Sequence, residues 1–247
     1  MSQSAATSPP STPDLAEHGA GGQRLDRRLF MQLLVLTGAD DVTALTDALA
    51  GAGVRGALYL DMHDPHGVGV LAMSEQPGFF VGAWREVLTR PPFNALTLKP
   101  EFTMFGRTYA LGYEQDLEET LIHRPTRTAL NPDWPWVVWY PLRRSGAFAR
   151  LAPEEQREIL KEHGSIGFAF GRADLAHDIR LACNGLDRDD NDFVVALTGK
   201  ELHPLSAVVQ AMRKTQQTSL YLDRLGPFFV GRAAWKSDQG PATNERE

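Results

Sequence analysis

Seven histidines, a lone cysteine and clustered arginines are the side chains from which chemistry could come in this chain. His63 and His66 stand three apart in Asp61-Met62-His63-Asp64-Pro65-His66-Gly67. In so turn-rich a stretch they read more readily as turn residues than as a metal loop. His163 is placed differently. Ile159, Leu160, His163, Ile166 and Gly167 share one face of a helix by i, i+3, i+4, i+7 spacing, while Glu155, Arg157, Glu158, Lys161 and Glu162 share the other. An imidazole on the apolar face is sheltered, and Gly164 and Gly167 leave room for something flat beside it. These residues alone leave two readings open, a hydrogen-bonded core histidine or a ligand to iron. Tyr140 ends the apolar run Val137-Val138-Trp139-Tyr140, and Arg143 and Arg144 follow at once. A guanidinium is a planar fork matched to carboxylates. Cys183 cannot form an internal disulfide, and a lone thiol suits a reducing, cytoplasmic setting.

The elements that must position these groups fall into two similar series. With 247 residues, 43% of them hydrophobic, the chain can bury one large core or two smaller ones. Its net charge of −6 offers no electrostatic footprint for nucleic acid. No apolar run is long enough for a membrane-spanning helix. Periodicity predicts strands at Leu29–Leu36, Val54–Asp61, Gly67–Met73 and Phe102–Tyr113, with helices at Asp41–Ala50 and Pro77–Arg90. After a proline-rich connector it predicts strands at Trp136–Leu142, Leu181–Gly185, Phe193–Thr198 and Tyr221–Val230, with helices at Ala152–Phe170 and His203–Thr215. Each series reads β-α-β-β-α-β, the ferredoxin-like order. The expectation is an α+β chain: a disordered tail over 1–25, one ferredoxin-like half over 26–125, a second over 126–235, and a flexible tail over 236–247. The two halves can join their sheets in one dimeric α+β barrel.

Fold order alone fits many functions, and particular residues narrow it. Glu162-His163-Gly164-Ser165-Ile166-Gly167 resembles the E-H-G-x-x-G segment of the chlorite dismutase and coproheme decarboxylase superfamily. Tyr140-Pro141-Leu142-Arg143-Arg144 is similar to that family's Y-P-M-x-K/R strand end. Leu151-Ala152-Pro153-Glu154-Glu155-Gln156-Arg157 is similar to its helix start, and Asp189-Asp190-Asn191-Asp192-Phe193 to its D-D-x-[DE]-[FW] turn. Arg213 falls where the family has M-R, and Gly226-Pro227-Phe228-Phe229-Val230-Gly231 resembles its G-P-F-F-x-G ending. The resemblance spans roughly Arg127 to Arg232, with its pieces in order.

The resemblance implies that haem or coproheme (iron coproporphyrin III) is bound by the second half, with His163 as the iron ligand. It implies Tyr140 as a redox-active catalytic tyrosine. Arg127, Tyr140, Pro141, Leu142, Arg143, Arg144 and Ser219 are the implied porphyrin contacts, with Arg124 a rival to Arg127. Counting back from Phe193 puts Arg180 at the distal, catalytic position; counting from Gly185 puts Asp178 there. The family's chlorite-degrading members supply a glutamate behind the ligating histidine, but Lys214-Thr215-Gln216-Gln217-Thr218-Ser219 holds no carboxylate. The implied activity is decarboxylation of coproheme to haem b with hydrogen peroxide as oxidant. Chlorite dismutation is the alternative, and haem binding without turnover the second. The resemblance also implies a homo-oligomer, a pentamer by family habit.

Overall fold

A computed structural model describes residues 12–238. The first half holds β1 (Glu17–His18), β2 (Arg24–Leu25), β3 (Phe30–Thr37), α1 (Val42–Gly51), β4 (Gly56–Asp61), β5 (Val68–Ser74), α2 (Gly78–Val81), α3 (Ala83–Leu88), β6 (Thr97–Leu98) and β7 (Met104–Arg107). A π-helical turn at Glu119–His123 leads into α4 (Arg124–Leu130). The second half holds β8 (Trp136–Arg144), α5 (Gly146–Ala149), α6 (Pro153–Arg172), β9 (His177–Ala182), β10 (Phe193–Gly199), α7 (Leu202–Met212), α8 (Gln216–Leu220), β11 (Leu222–Leu225) and β12 (Phe229–Lys236).

The sheet order β7-β3-β5-β4 in one half and β9-β10-β8-β12 in the other puts the first and third strand of each series in the middle, as the ferredoxin-like arrangement requires. β4 pairs with β12 at one seam, and Arg107 of β7 meets Ala182 of β9 at the other. The eight strands thereby close into a barrel with no free edge. Period-2 alternation decides what goes inside: Leu29, Met31, Leu33 and Val35 point inward with Val137, Trp139, Ile179, Leu181 and Phe229. Packing there is tight enough that a Cβ on Gly69 would stand 2.4 Å from Phe229 Cζ.

The two outer faces differ, and that difference positions the site. In the first half, α1, α2, α3 and the 3-10 turn at Phe93–Ala95 cover the sheet with Leu45, Leu49, Phe80, Trp84 and Phe93, and Trp84 Nε1 donates to Gln32 Oε1 at 2.8 Å. In the second half α6 packs on α7, α8 and β9, yet only Ile159 of its twenty residues is fully buried. Most of its apolar stripe faces a cavity.

Several expected elements change. The helix expected over Pro77–Arg90 is two short ones, broken at Gly82 (φ −106°, ψ −110°), which lets Phe79, Phe80 and Trp84 all turn into one aromatic cluster. The strand expected over Phe102–Tyr113 stops at Arg107. Leu181–Gly185 is replaced by β9, which starts at His177. The last strand is cut in two at Gly226, whose φ of +95° suits glycine, followed by Pro227, which has no amide to donate to a ladder. The connector is helical, with Leu121, Ile122, Ala129 and Leu130 in the barrel core. The tail expected over 1–25 includes an ordered hairpin: β1 pairs with β2, and Glu17 accepts from Arg107 at 2.7 Å. At the other end β12 extends to Lys236, whose Nζ donates to Asn131 O (2.7 Å) and Trp134 O (2.9 Å). The remainder of both expected tails, 1–11 and 239–247, lies outside the described residues. No helix among those described is long and apolar enough to cross a membrane.

Candidate active site

Between α6 and the outer face of β8, β9 and β10 lies a cavity of about 1370 Å³, above the roughly 300–1,000 Å³ of an ordinary small-ligand site. Alternation along β8 decides which residues reach it. Tyr140, Leu142 and Arg144 line the cavity; Pro141 and Arg143, one step out of phase, do not. Pro141 instead pairs across to Val194, and Arg143 points to solvent and forms an ion pair with Asp190 at 2.7 Å. Of the implied porphyrin contacts, Pro141 and Arg143 are thus not among the residues lining the cavity. Arg144 lies between the Phe148 and Phe193 rings, 4.9 and 4.6 Å from their centroids. No carboxylate within salt-bridge distance of its guanidinium occurs among the described residues, and its Nε is buried without a partner. Burial lowers its pKa from the usual value.

His163 is half-buried on α6 and lines the cavity. Its Nδ1 is 3.1 Å from Thr215 Oγ1, and the same hydroxyl donates to Met212 O at 2.8 Å. A hydroxyl has one proton, so with that proton on Met212 O it accepts from Nδ1–H. This assigns the tautomer: Nε2 is left with its lone pair and has no hydrogen-bond partner among the described residues. Burial, then the Arg144 charge, lowers the His163 pKa, keeping the ring neutral. Thr215 can act this way because the helix expected over His203–Thr215 ends at Met212 and restarts as α8, with Thr215 extended (φ −73°, ψ 153°) between them. A Cβ at Gly164 meets nothing within 4 Å, and one at Gly167 meets only Met212 Cε at 3.4 Å. Packing within the chain does not require either glycine.

Tyr140 is 5% exposed and stacks on Phe228, centroids 4.8 Å apart. Burial, with the Asp178 charge, raises its pKa well above the usual phenol value, so it holds its proton. Asp178 and Arg180 sit two apart on β9 and both line the cavity. Arg180 Nε meets Asp178 Oδ2 at 2.9 Å. Burial works against the Arg180 charge, but Asp178 together with Tyr109, Tyr113 and Glu114 outweighs it and raises the pKa. The two rivals for the distal position are thus partners.

Arg124, Arg127 and Arg213 reach the cavity wall, but Arg127 is engaged by Glu119, one contact being Nη1 to Oε2 at 3.0 Å. Ser219 does not line the cavity; its hydroxyl donates to Thr215 O at 2.9 Å, and Gln217 and Thr218 face the space instead. Cys183 is buried, its Sγ donating to Asn191 O, and burial pushes the thiol up to about 12. Sequence reasoning passed over Thr215, Tyr109 and the stack of Trp134 on His177 (3.6 Å between centroids). Of these only Thr215 left a signal, as a hydroxyl in the Lys214–Ser219 stretch where a carboxylate is missing.

A family model described as chlorite dismutase matches residues 81–234. No curated protein matches the chain. Among solved structures, a haem-binding protein from Thermus thermophilus is similar at 19% identity and TM-score 0.65, covering 84% of this chain and 91% of that one. A putative chlorite dismutase is similar at 14% identity and TM-score 0.65, covering 83% and 94%. A tryptophan variant of the chlorite dismutase from Candidatus Nitrospira defluvii, in complex with cyanide, is similar at 14% identity and TM-score 0.62, covering 85% and 92%.

Proposed function

Since the chain belongs to the chlorite dismutase family, we propose that its cavity holds an iron porphyrin and that it converts coproheme to haem b with hydrogen peroxide. The residues present fit such a group. His163 Nε2 is an unprotonated imidazole nitrogen on the cavity wall, Gly164 and Gly167 keep that wall flat, and the Arg144 guanidinium is charged and unpaired by carboxylate among the described residues. When bound, an iron porphyrin supplies one-electron oxidation driven by peroxide.

The observation that carries the decarboxylase reading is Tyr140, a buried phenol on the cavity wall. His163 would hold the iron, and Thr215 fixes its ring orientation and tautomer. Arg144, with Arg124 and Arg213 at the wall, would bind propionates. Tyr140 would give up one electron with its Oη proton and then take a hydrogen atom from a propionate β-carbon. Per propionate, a carboxylate leaves as carbon dioxide, a vinyl group forms, and two electrons and one proton are released. Peroxide takes up those electrons with that proton and a second from solvent to give two waters.

Chlorite dismutation is the second reading, and Arg180 on the cavity wall favours it, since a guanidinium there could hold an anionic oxidant. Against it, the histidine's partner is a neutral hydroxyl rather than a carboxylate. The deciding experiment loads the chain with coproheme, titrates in peroxide and follows the porphyrin by mass spectrometry. Two successive losses of a formic-acid equivalent, carbon dioxide together with two hydrogens, support the proposal. Bleaching without decarboxylation overturns it, and oxygen release from chlorite by the haem b form would then favour the second reading.

Two substitutions test the inner parts of the site. Thr215→Val keeps the shape but removes the acceptor of Nδ1–H, and should weaken haem binding about tenfold, at the lower end of what such partners contribute. Arg144→Ala should weaken coproheme binding about tenfold through loss of a charge-assisted bond, whereas Arg143→Ala should leave it within about twofold. Absorbance titrations in parallel check both.

A further inference from the structure

We propose that Asp178 is a positioning residue that sets the charge preference of the cavity: by pairing with Arg180 it makes the site favour a neutral oxidant over a small anion. This rests on the reading that the cavity holds an iron porphyrin.

On β9, Ile179 and Leu181 point into the barrel, so the out-of-phase residues Asp178 and Arg180 are both delivered to the cavity. The ion pair is made through Arg180 Nε, at 2.9 Å, so the terminal nitrogens remain donors while the charge is compensated. Arg144 shows the alternative: it shares the cavity, lies between two aromatic rings and has no carboxylate within salt-bridge distance of its guanidinium among the described residues, Asp192 accepting from its backbone N–H instead. Of these two guanidiniums, the one at the Phe148–Phe193 end keeps its charge unpaired and the one on β9 is compensated by a carboxylate. The pair is partly solvated, Arg180 being 37% and Asp178 46% exposed, yet a carboxylate at that distance still subtracts from the pull on an incoming anion and adds its own repulsion. Hydrogen peroxide, being neutral, loses none of the hydrogen bonding that the terminal nitrogens offer and meets no such penalty. Asp178 would therefore tell peroxide from chlorite, although it need not touch either.

The test uses the full chain loaded with haem b at pH 8, with azide as the anionic probe and imidazole as the neutral one, both read by absorbance titration. Asp178→Asn should tighten azide binding on the order of tenfold and leave imidazole within about twofold. Asp178→Glu should behave like the unsubstituted chain. Asp178→Asn combined with Arg180→Ala should lose the gain. If Asp178→Asn takes up haem but its azide affinity is unchanged, or if azide and imidazole move together, the proposal is overturned while the porphyrin reading stands. If the unsubstituted chain takes up no haem, both fall.

Discussion

His163→Ala should weaken haem binding by on the order of a thousandfold, about 4 kcal/mol. What is lost is the His163 nitrogen that has no hydrogen-bond partner among the described residues, while Arg144 and the apolar walls persist and hold residual affinity. The substitution should not unfold the chain, because His163 is only half-buried and the hydroxyl it frees still donates to Met212 O. Absorbance titration with haem measures the loss, and free imidazole should restore much of the iron-ligand spectrum by occupying the space left. Equal affinity in the variant and the unsubstituted chain would place the iron elsewhere. The pH dependence has a defined sign. Burial and Arg144 lower the His163 pKa below its ordinary 6.5. The ring is therefore neutral and competent to ligate at pH 7, and affinity should fall on acidification only below 6.5.

Tyr140→Phe should separate binding from turnover. Phenylalanine retains the ring that stacks on Phe228, so coproheme affinity should stay within about twofold. Without the Oη–H bond the side chain cannot supply an electron and a proton together, and peroxide-driven decarboxylation should slow by about a thousandfold or more, about 4 kcal/mol of barrier. Mass spectrometry of the porphyrin at fixed peroxide measures the ratio. Haem b formed at an unreduced rate would remove Tyr140 from the reaction and leave it as an aromatic wall residue.

The elements longest in sequence and most regular in pattern were legible. Periodicity marked β3, β5, β8 and β10 within a few residues, because each is a mostly apolar run. α6 was legible because charge and apolar side chains separate cleanly around it. β9 was missed at its start, because Asp178 and Arg180 there face a cavity rather than a core, and polar residues in that phase look like a loop. Gly82 and Thr215 interrupt runs whose composition is helical throughout. What breaks them is tertiary: aromatic packing around Trp84 at the one, and the docking of His163 on α6 at the other.

For the site, the residue types and the face they share on a helix pointed to His163, and the order of motifs pointed to Tyr140, Arg144 and Arg180. Which neighbours of these also serve was decided by the fold. Strand alternation carries Tyr140, Leu142 and Arg144 to the cavity and turns Pro141 and Arg143 away. Residues far apart in the chain, His163 and Thr215, meet only when α6 packs on α7 and α8. The choice between Arg180 and Asp178, ambiguous when counted along the sequence, dissolves once β9 puts both on one face, 2.9 Å apart. The chemical groups the chain carries can be read in one dimension, because side-chain type and local period are properties of a string. Which groups meet and which charges cancel cannot be read that way, because those depend on distances between segments that exist only once the barrel has closed.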